Sequence, residues 1–272
     1  MATHLIVHGH GAGDPGAVGN GENERDFNRK KLHPYIVKWA NKSKHKFEYY
    51  DVTGNKDMFQ DTANGWGMYS IRSNQYSSVT EIHEDAASAS ATGGHVIISS
   101  SFSPDKEDLN LAQAIQSIVG LWGGVSKTKG ISYRNNLLNL NVAAQRGITY
   151  RLMELGFITS KRDMDIIRRD LDKYAKYIIE SITGENLGGT TVKVDTKNYH
   201  DSGVFFKAKR DLPTYTDDNF SKKSEWVLAK GSVFGIKSIY IGKNGNTHAL
   251  VDVNFGGTVR VTLNKDWVEK IK

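Results

Sequence analysis

A chain of 272 residues, 38% hydrophobic and 24% charged, is long enough for one large α/β domain or for a medium domain beside a small one. It contains no cysteine, which excludes disulfides, thiolate metal sites and cysteine nucleophiles, so any metal site must draw on His, Asp and Glu. The formal net charge of +6 is uneven: residues 185–272 hold 14 Lys/Arg against 10 Asp/Glu, and the preceding residues hold 22 against 20.

The opening Met1-Ala2-Thr3-His4 lacks the charged, apolar and cleavage segments of a secretory signal, so synthesis in the cytoplasm is expected. Residues 4–8 read as a strand that ends in the turn Gly9-His10-Gly11-Ala12-Gly13-Asp14-Pro15-Gly16. Its glycines allow an unusual backbone path and close approach of a ligand. A phosphate loop is the competing reading, but neither GxxxxGK[ST] nor GxGxxG spacing is present.

Residues 26–39 carry Phe27, Leu32, Ile36 and Trp39 at roughly helical spacing, with Pro34 predicting a kink or break. Residues 46–52, 79–83 and 94–99 read as strands, and residues 109–121 as an amphipathic helix. A strand over 148–155 follows. A helix then starts at the N-cap Ser160, repeats apolar residues at steps of three and four, and stops at Gly184. This alternation predicts an α/β fold, a mostly parallel twisted sheet flanked by helices. Ligands of such sheets gather at strand ends, where His10, His83 and Glu154 fall.

Residues 184–191 read as a short flexible linker. From 192 onward short strands at 202–208, 226–228, 238–241, 249–253 and 259–263 alternate with Gly/Asn turns such as 243–246, which predicts a small all-β barrel over 192–272. The basic tilt there suits an anionic polymer. No Arg stripe or RNA-binding aromatic signature speaks for nucleic acid, and no apolar run approaches the ~18 residues that membrane insertion needs. Tyr199, Phe205, Phe206, Tyr215, Trp226, Tyr240 and Trp267 are candidates for a ligand groove or for the barrel core.

Taken singly, His4, His33, His45, His95, His200 and His248 read as surface or structural groups, and His8 is expected either to face elsewhere than His10 or to stand behind the metal ligands. Glu22 and Glu24 compete for a carboxylate position, with Glu24 more rigidly presented where the first helix opens. Glu154 is an acidic residue on a largely buried strand, costly unless solvated, paired or in use. Two imidazoles and one carboxylate from separate strand ends form a set that zinc prefers when a position must stay open for water, so a metallohydrolase is expected.

Together, Gly9-His10-Gly11 with Asp14-Pro15-Gly16-Ala17, Glu24 with Asn28, Ile82-His83, and Glu154-Leu155-Gly156-Phe157-Ile158 occur in order, and residues 4–183 resemble the Amidase_3 family. These are zinc-dependent N-acetylmuramoyl-L-alanine amidases of bacterial autolysins and phage endolysins. The C-terminal region is similar to bacterial SH3-type cell-wall-binding modules. The resemblance implies a catalytic domain over 1–183, Zn2+ held by His10, Glu24 and His83, and Glu154 as the catalytic carboxylate. It further implies a peptidoglycan substrate, expected to be a Gram-positive wall. The setting it implies is a phage endolysin, made in the host cytoplasm and released by a holin-type protein. Arg134 or Arg151 is a candidate partner for the oxyanion. The sequence departs from the family at His8-Gly9, where an acidic lead-in is common, and at Glu84-Asp85, where an Asn-bearing segment is frequent. A zinc peptidase or carboxypeptidase of the stem peptide and a non-catalytic wall-binding protein are the rival readings.

Overall fold

A computed structural model describes all residues except 189–194, 218–219, 243–244 and 254–256. The chain divides into two units, Met1–Gly188 and Gly189–Lys272.

In the first unit the order is β1 (Thr3–His8), the small hairpin β2 (Val18–Gly19) and β3 (Glu22–Asn23), α1 (Glu24–Asp26), α2 (His33–Ala40), β4 (Lys46–Tyr50), α3 (Met58–Ala63), β5 (Ser78–Asp85), β6 (His95–Ser99), α4 (Lys106–Ile118), β7 (Ile131–Arg134), α5 (Leu138–Gln145), β8 (Tyr150–Phe157) and α6 (Lys161–Thr183). Six strands form one sheet in the order β4-β1-β5-β8-β6-β7. All its pairings are parallel except that of β6 with β8, so the expected mostly parallel sheet is present.

Successive side chains of a strand point to opposite faces, and both faces are covered. Ile6, Ile82, Val96 and Met153 pack on one side with residues of α2, α4 and α6. Leu5, Val7, Val79, Ile97 and Leu152 pack on the other with Met58 of α3 and Leu140 and Val142 of α5. Glu81, His83 and Glu154 share the parity of Val79 and Leu152, which puts them on the α3/α5 side.

The expected helix over 26–39 is not uniform. Between α1 and α2 the turns of Phe27–Leu32 widen to π-helical pairing, and the His33 N–H reaches back to the Asn28 carbonyl. Pro34 then sits in the first turn of α2, where its missing N–H costs least. His83 and Glu154 are not at strand ends as expected. Both strands run on, because a register shift after the His83–Glu154 pair lets Asp85 pair with Phe157. Helices α3 and α5 and strand β7 are not legible as elements in the sequence, being only six, eight and four residues long. α6 matches its expectation: Ser160 accepts from the Asp163 N–H, and Gly184 caps the C-terminus at φ 69°.

Of the expected linker, residues 189–191 lie outside the described residues, as does Val192, the expected start of the barrel. Its first part belongs to the first unit: the Leu187 N–H donates to Glu180 Oε1 at 2.7 Å, and Glu185 accepts from the Ser43 hydroxyl.

The second unit holds β9 (Phe205–Ala208), β10 (Leu212–Tyr215), β11 (Lys223–Leu228), β12 (Val233–Gly235), β13 (Ser238–Ile241), β14 (Thr247–Val253), β15 (Gly257–Thr262) and β16 (Val268–Lys270). They form sheets β11-β10-β15-β14-β13 and β12-β9-β16, a small all-β domain around Phe206, Leu212, Phe234, Val251, Val259 and Val261. Phe206 is thus core, Phe205 and Trp226 are exposed, and Tyr240 stacks on His248. Tyr199, Tyr215 and Trp267 line a cleft of about 170 Å³. Lys243 and Asn244 of the expected turn lie outside the described residues.

Candidate metal centre

The loop after β1 reverses sharply. His10 adopts the left-handed conformation at φ 62°, unusual for a non-glycine residue and a cost of order 1 kcal/mol that the surrounding fold must offset. Two glycines make the reversal possible by packing flat against imidazoles. A Cβ on Gly9 would lie 2.1 Å from His83 Cε1, and one on Gly16 would lie 2.5 Å from His10 Cδ2. The Arg29 guanidinium holds the loop from beneath, donating to the carbonyls of His8 at 2.9 Å, Gly9 at 2.8 Å and His10 at 2.6 Å.

Three side chains converge there. His10 Nε2 and His83 Nδ1 each lie 3.3 Å from Glu24 Oε2. One ligand atom from each of His10, Glu24 and His83 falls within 4.8 Å of the others. Glu24 is buried and anchored by the Ala17 N–H at 2.7 Å on Oε1 and the Glu84 N–H at 3.1 Å on Oε2. Each imidazole is backed at its far nitrogen. His10 Nδ1 is 2.9 Å from Asp14 Oδ2, and His83 Nε2 is 3.0 Å from Glu81 Oε1.

The electrostatics follow from burial against pairing. Burial works to raise the Glu24 pKa, but hydrogen bonds from His10 and His83 outweigh it and hold the carboxyl far below its ordinary value. Burial also opposes charge on His83, yet its bonds to Glu24 and Glu81 win and raise its pKa well above the usual imidazole value. His10 shifts up for the same reason, with Glu24 overcoming burial. In the metal-free protein, protons on the imidazoles therefore supply the positive charge that the carboxylates require. Two nitrogens and a carboxylate oxygen around one point fit a zinc-like cation in place of those protons.

Glu154 stands beside His83 in register across β5 and β8. Its Oε2 is buried and has no hydrogen-bond partner, and among the described residues no Lys or Arg pairs with it. Burial, with Asp85 and Glu24 nearby and opposed by His83 and His10, pushes its pKa up to about 8. A cavity of about 300 Å³ opens from His10 and His83 past Asp57, Phe59, Asn136 and Leu138.

The other candidates go elsewhere. Glu22 pairs with Lys31 at 2.5 Å and Arg168, which leaves Glu24 as the carboxylate of the cluster. Arg151 is 1% exposed and locked to Asp105, Glu107 and Asp108, so it offers nothing to an oxyanion. Arg134 is the exception, since it donates at 3.1 Å to Asn136, which lines the cavity. His8 is buried with Nε2 2.9 Å from His33 Nδ1, and burial, His33 and Arg29 keep it neutral. His95 is buried against Ser132 at 2.6 Å. Sequence reasoning misses Glu81, Asp14 and Arg29. Asp14 stands in the motif that carries the resemblance but receives no role there, and Glu81, two residues before His83 on a strand, shares its face.

The N-acetylmuramoyl-L-alanine amidase family Amidase_3 matches residues 5–184, and the chain belongs to this family. Probable autolysin PH of Staphylococcus aureus is 45% identical over a stretch covering 71% of this chain and 41% of that protein, so the chain spans less than half of that relative's length. Among solved structures, the catalytic domain of an endolysin targeting Clostridium difficile superposes with TM-score 0.55 at 20% identity, covering 68% of this chain and 99% of that one. The apo form of the amidase Ami1 from Mycobacterium abscessus gives TM-score 0.52 at 16% identity, covering 67% and 97%. At these identities the two structures speak for the shared fold.

Proposed function

We propose that the chain is a peptidoglycan hydrolase that cleaves the amide between the lactyl group of N-acetylmuramic acid and L-alanine. The observation that carries this reading is the convergence of His10 Nε2, Glu24 Oε2 and His83 Nδ1 beside Glu154, in a chain of the amidase family. Zinc is the ion we assign to those three side chains; once bound, it supplies Lewis-acid activation of water and polarisation of the scissile carbonyl.

The remaining work falls to this chain's own groups. Glu154 accepts the proton of the attacking water on a carboxylate oxygen and returns it to the departing alanine nitrogen, a poor leaving group unless protonated. The carboxylate must be ionised when water attacks, and its buried Oε2, which has no hydrogen-bond partner, is open to take the proton and hold it between the two transfers. Glu24 and the two imidazoles, fixed by backbone donors and outer carboxylates, keep their positions without reorganising during reaction.

For the small β domain we propose an SH3-type wall-binding role, which concentrates the catalytic unit at its substrate. Its aromatic cleft and net positive charge support that role. A Gram-positive wall and an endolysin released by a holin-type protein complete the proposed setting. Loss of wall pelleting on deleting the β domain tests the binding role, and equal pelleting of the truncated protein overturns it.

Product analysis on purified peptidoglycan, with zinc quantified in the same preparation, tests the reaction. The amidase reading expects new L-alanine amino termini and stoichiometric zinc. Stem peptides cut internally, with the muramoyl–alanine bond intact, would instead establish a peptidase.

A further inference from the structure

We propose that Glu81 is a positioning residue of the metal centre: its carboxylate, held by Asn139 and Tyr150, fixes His83 Nε2–H and so turns Nδ1 toward the ion. The inference rests on the metal reading above and adds to it a group outside the three ligands.

Glu81 and His83 lie two apart on β5, so both side chains leave the same face of the sheet. Glu81 is 3% exposed, and its two oxygens have separate duties. Oε1 lies 3.0 Å from His83 Nε2. Oε2 accepts from Asn139 Nδ2 at 2.9 Å and from the Tyr150 hydroxyl at 2.5 Å. Those donors come from α5 and β8, two different elements packed against β5, and together they fix the carboxylate.

Both ring nitrogens of His83 face carboxylates, which only accept. An ion at the centre of the cluster would take the Nδ1 lone pair, which leaves the ring proton on Nε2, where Glu81 Oε1 receives it. Nδ1 is the atom 3.3 Å from Glu24 Oε2, at the centre of the cluster. His10 uses the opposite nitrogens: Asp14 takes Nδ1, and Nε2 faces Glu24. The two backings differ in kind, since the side chain of Asp14 is 43% exposed whereas that of Glu81 is 4% exposed beside the cavity. Were the His83 ring to swing free, the buried carboxylate would lose that partner, and this cost holds the ring in place.

The test compares the full-length wild type with Glu81→Leu, Glu81→Gln and Tyr150→Phe. Zinc affinity is read by chelator competition, and the protonated ring nitrogen of His83 by ¹⁵N NMR in the metal-free protein at a pH where His83 is neutral. Glu81→Leu is expected to bind zinc about 10–100-fold more weakly and, metal-free, to shift the ring proton from Nε2 toward Nδ1, where Glu24 still accepts. Glu81→Gln, which retains an acceptor, recovers part of that loss. Tyr150→Phe gives a smaller loss that disappears in the Glu81→Leu background, a coupling that a merely space-filling role does not produce. Unchanged zinc affinity and an unchanged tautomer in Glu81→Leu would overturn the proposal. If circular dichroism shows Glu81→Leu unfolded, Glu81→Gln and Tyr150→Phe decide the matter, and two wild-type-like profiles overturn the proposal. A wild type that binds no zinc overturns the metal reading, while the metal-free tautomer still decides whether Glu81 orients the ring.

Discussion

Replacing Glu154 by Gln should separate activity from stability in opposite directions. The carboxyl sits where burial pushes its pKa from 4.5 to about 8, so its ionised form is disfavoured in the fold. For an acid with a raised pKa, the contribution to stability is intact below the unfolded value and is lost as pH climbs through the folded one. Between 4.5 and pH 7 the loss reaches about 3 kcal/mol at ~1.4 kcal/mol per unit. Glutamine keeps the shape and cannot ionise, but its buried amide still lacks partners, so a net gain of about 1–3 kcal/mol remains. Denaturant unfolding of metal-free wild type and Glu154→Gln at pH 4.5 and pH 7 measures it: the variant should be equal to or less stable than wild type at the lower pH, and its relative stability should rise by about 3 kcal/mol at the higher. Wall lysis by the same variant should fall by about 10²–10⁴, the usual contribution of a proton-transferring group, with zinc content unchanged. A stability difference independent of pH would refute the argument from the dry carboxyl. Lysis within about tenfold of wild type would refute the assigned role.

Three further outcomes follow from the geometry. Gly9→Ala places a methyl 2.1 Å from the His83 ring, so zinc affinity by calorimetry should drop more than about tenfold even where the protein stays folded. Because His83 and His10 hold protons more tightly than free imidazole, zinc must displace them; affinity should rise with pH through the neutral range, with proton release that varies with buffer ionisation enthalpy. Arg151→Met strands Asp105, Glu107 and Asp108 around an empty centre and should destabilise the first unit by about 3–5 kcal/mol in chemical denaturation without touching zinc binding.

Local chemistry makes part of this protein legible from its residues in order. The alternation of apolar strands and amphipathic helices, the N-cap Ser160 and C-cap Gly184, and the texture change after α6 are short-range signals. They suffice for the α/β class and a second β-rich region. His10, Glu24, His83 and Glu154 are expected as a set because their motifs follow the order of the family that the chain resembles, and the fold brings the first three together. Helix α5 and strand β7 are not, since short elements are held by packing rather than by propensity. Choosing between Glu22 and Glu24 takes the folded chain, because Lys31 and Arg168, the latter far along the sequence, claim the first. Folding also removes Arg151 from the site by closing three carboxylates around it. It continues β5 and β8 past His83 and Glu154, and it brings Asn139 and Tyr150 onto Glu81. The physical reason is the same in each case: a buried charge takes its meaning from partners distant in sequence, and only the folded sheet says which ones it meets.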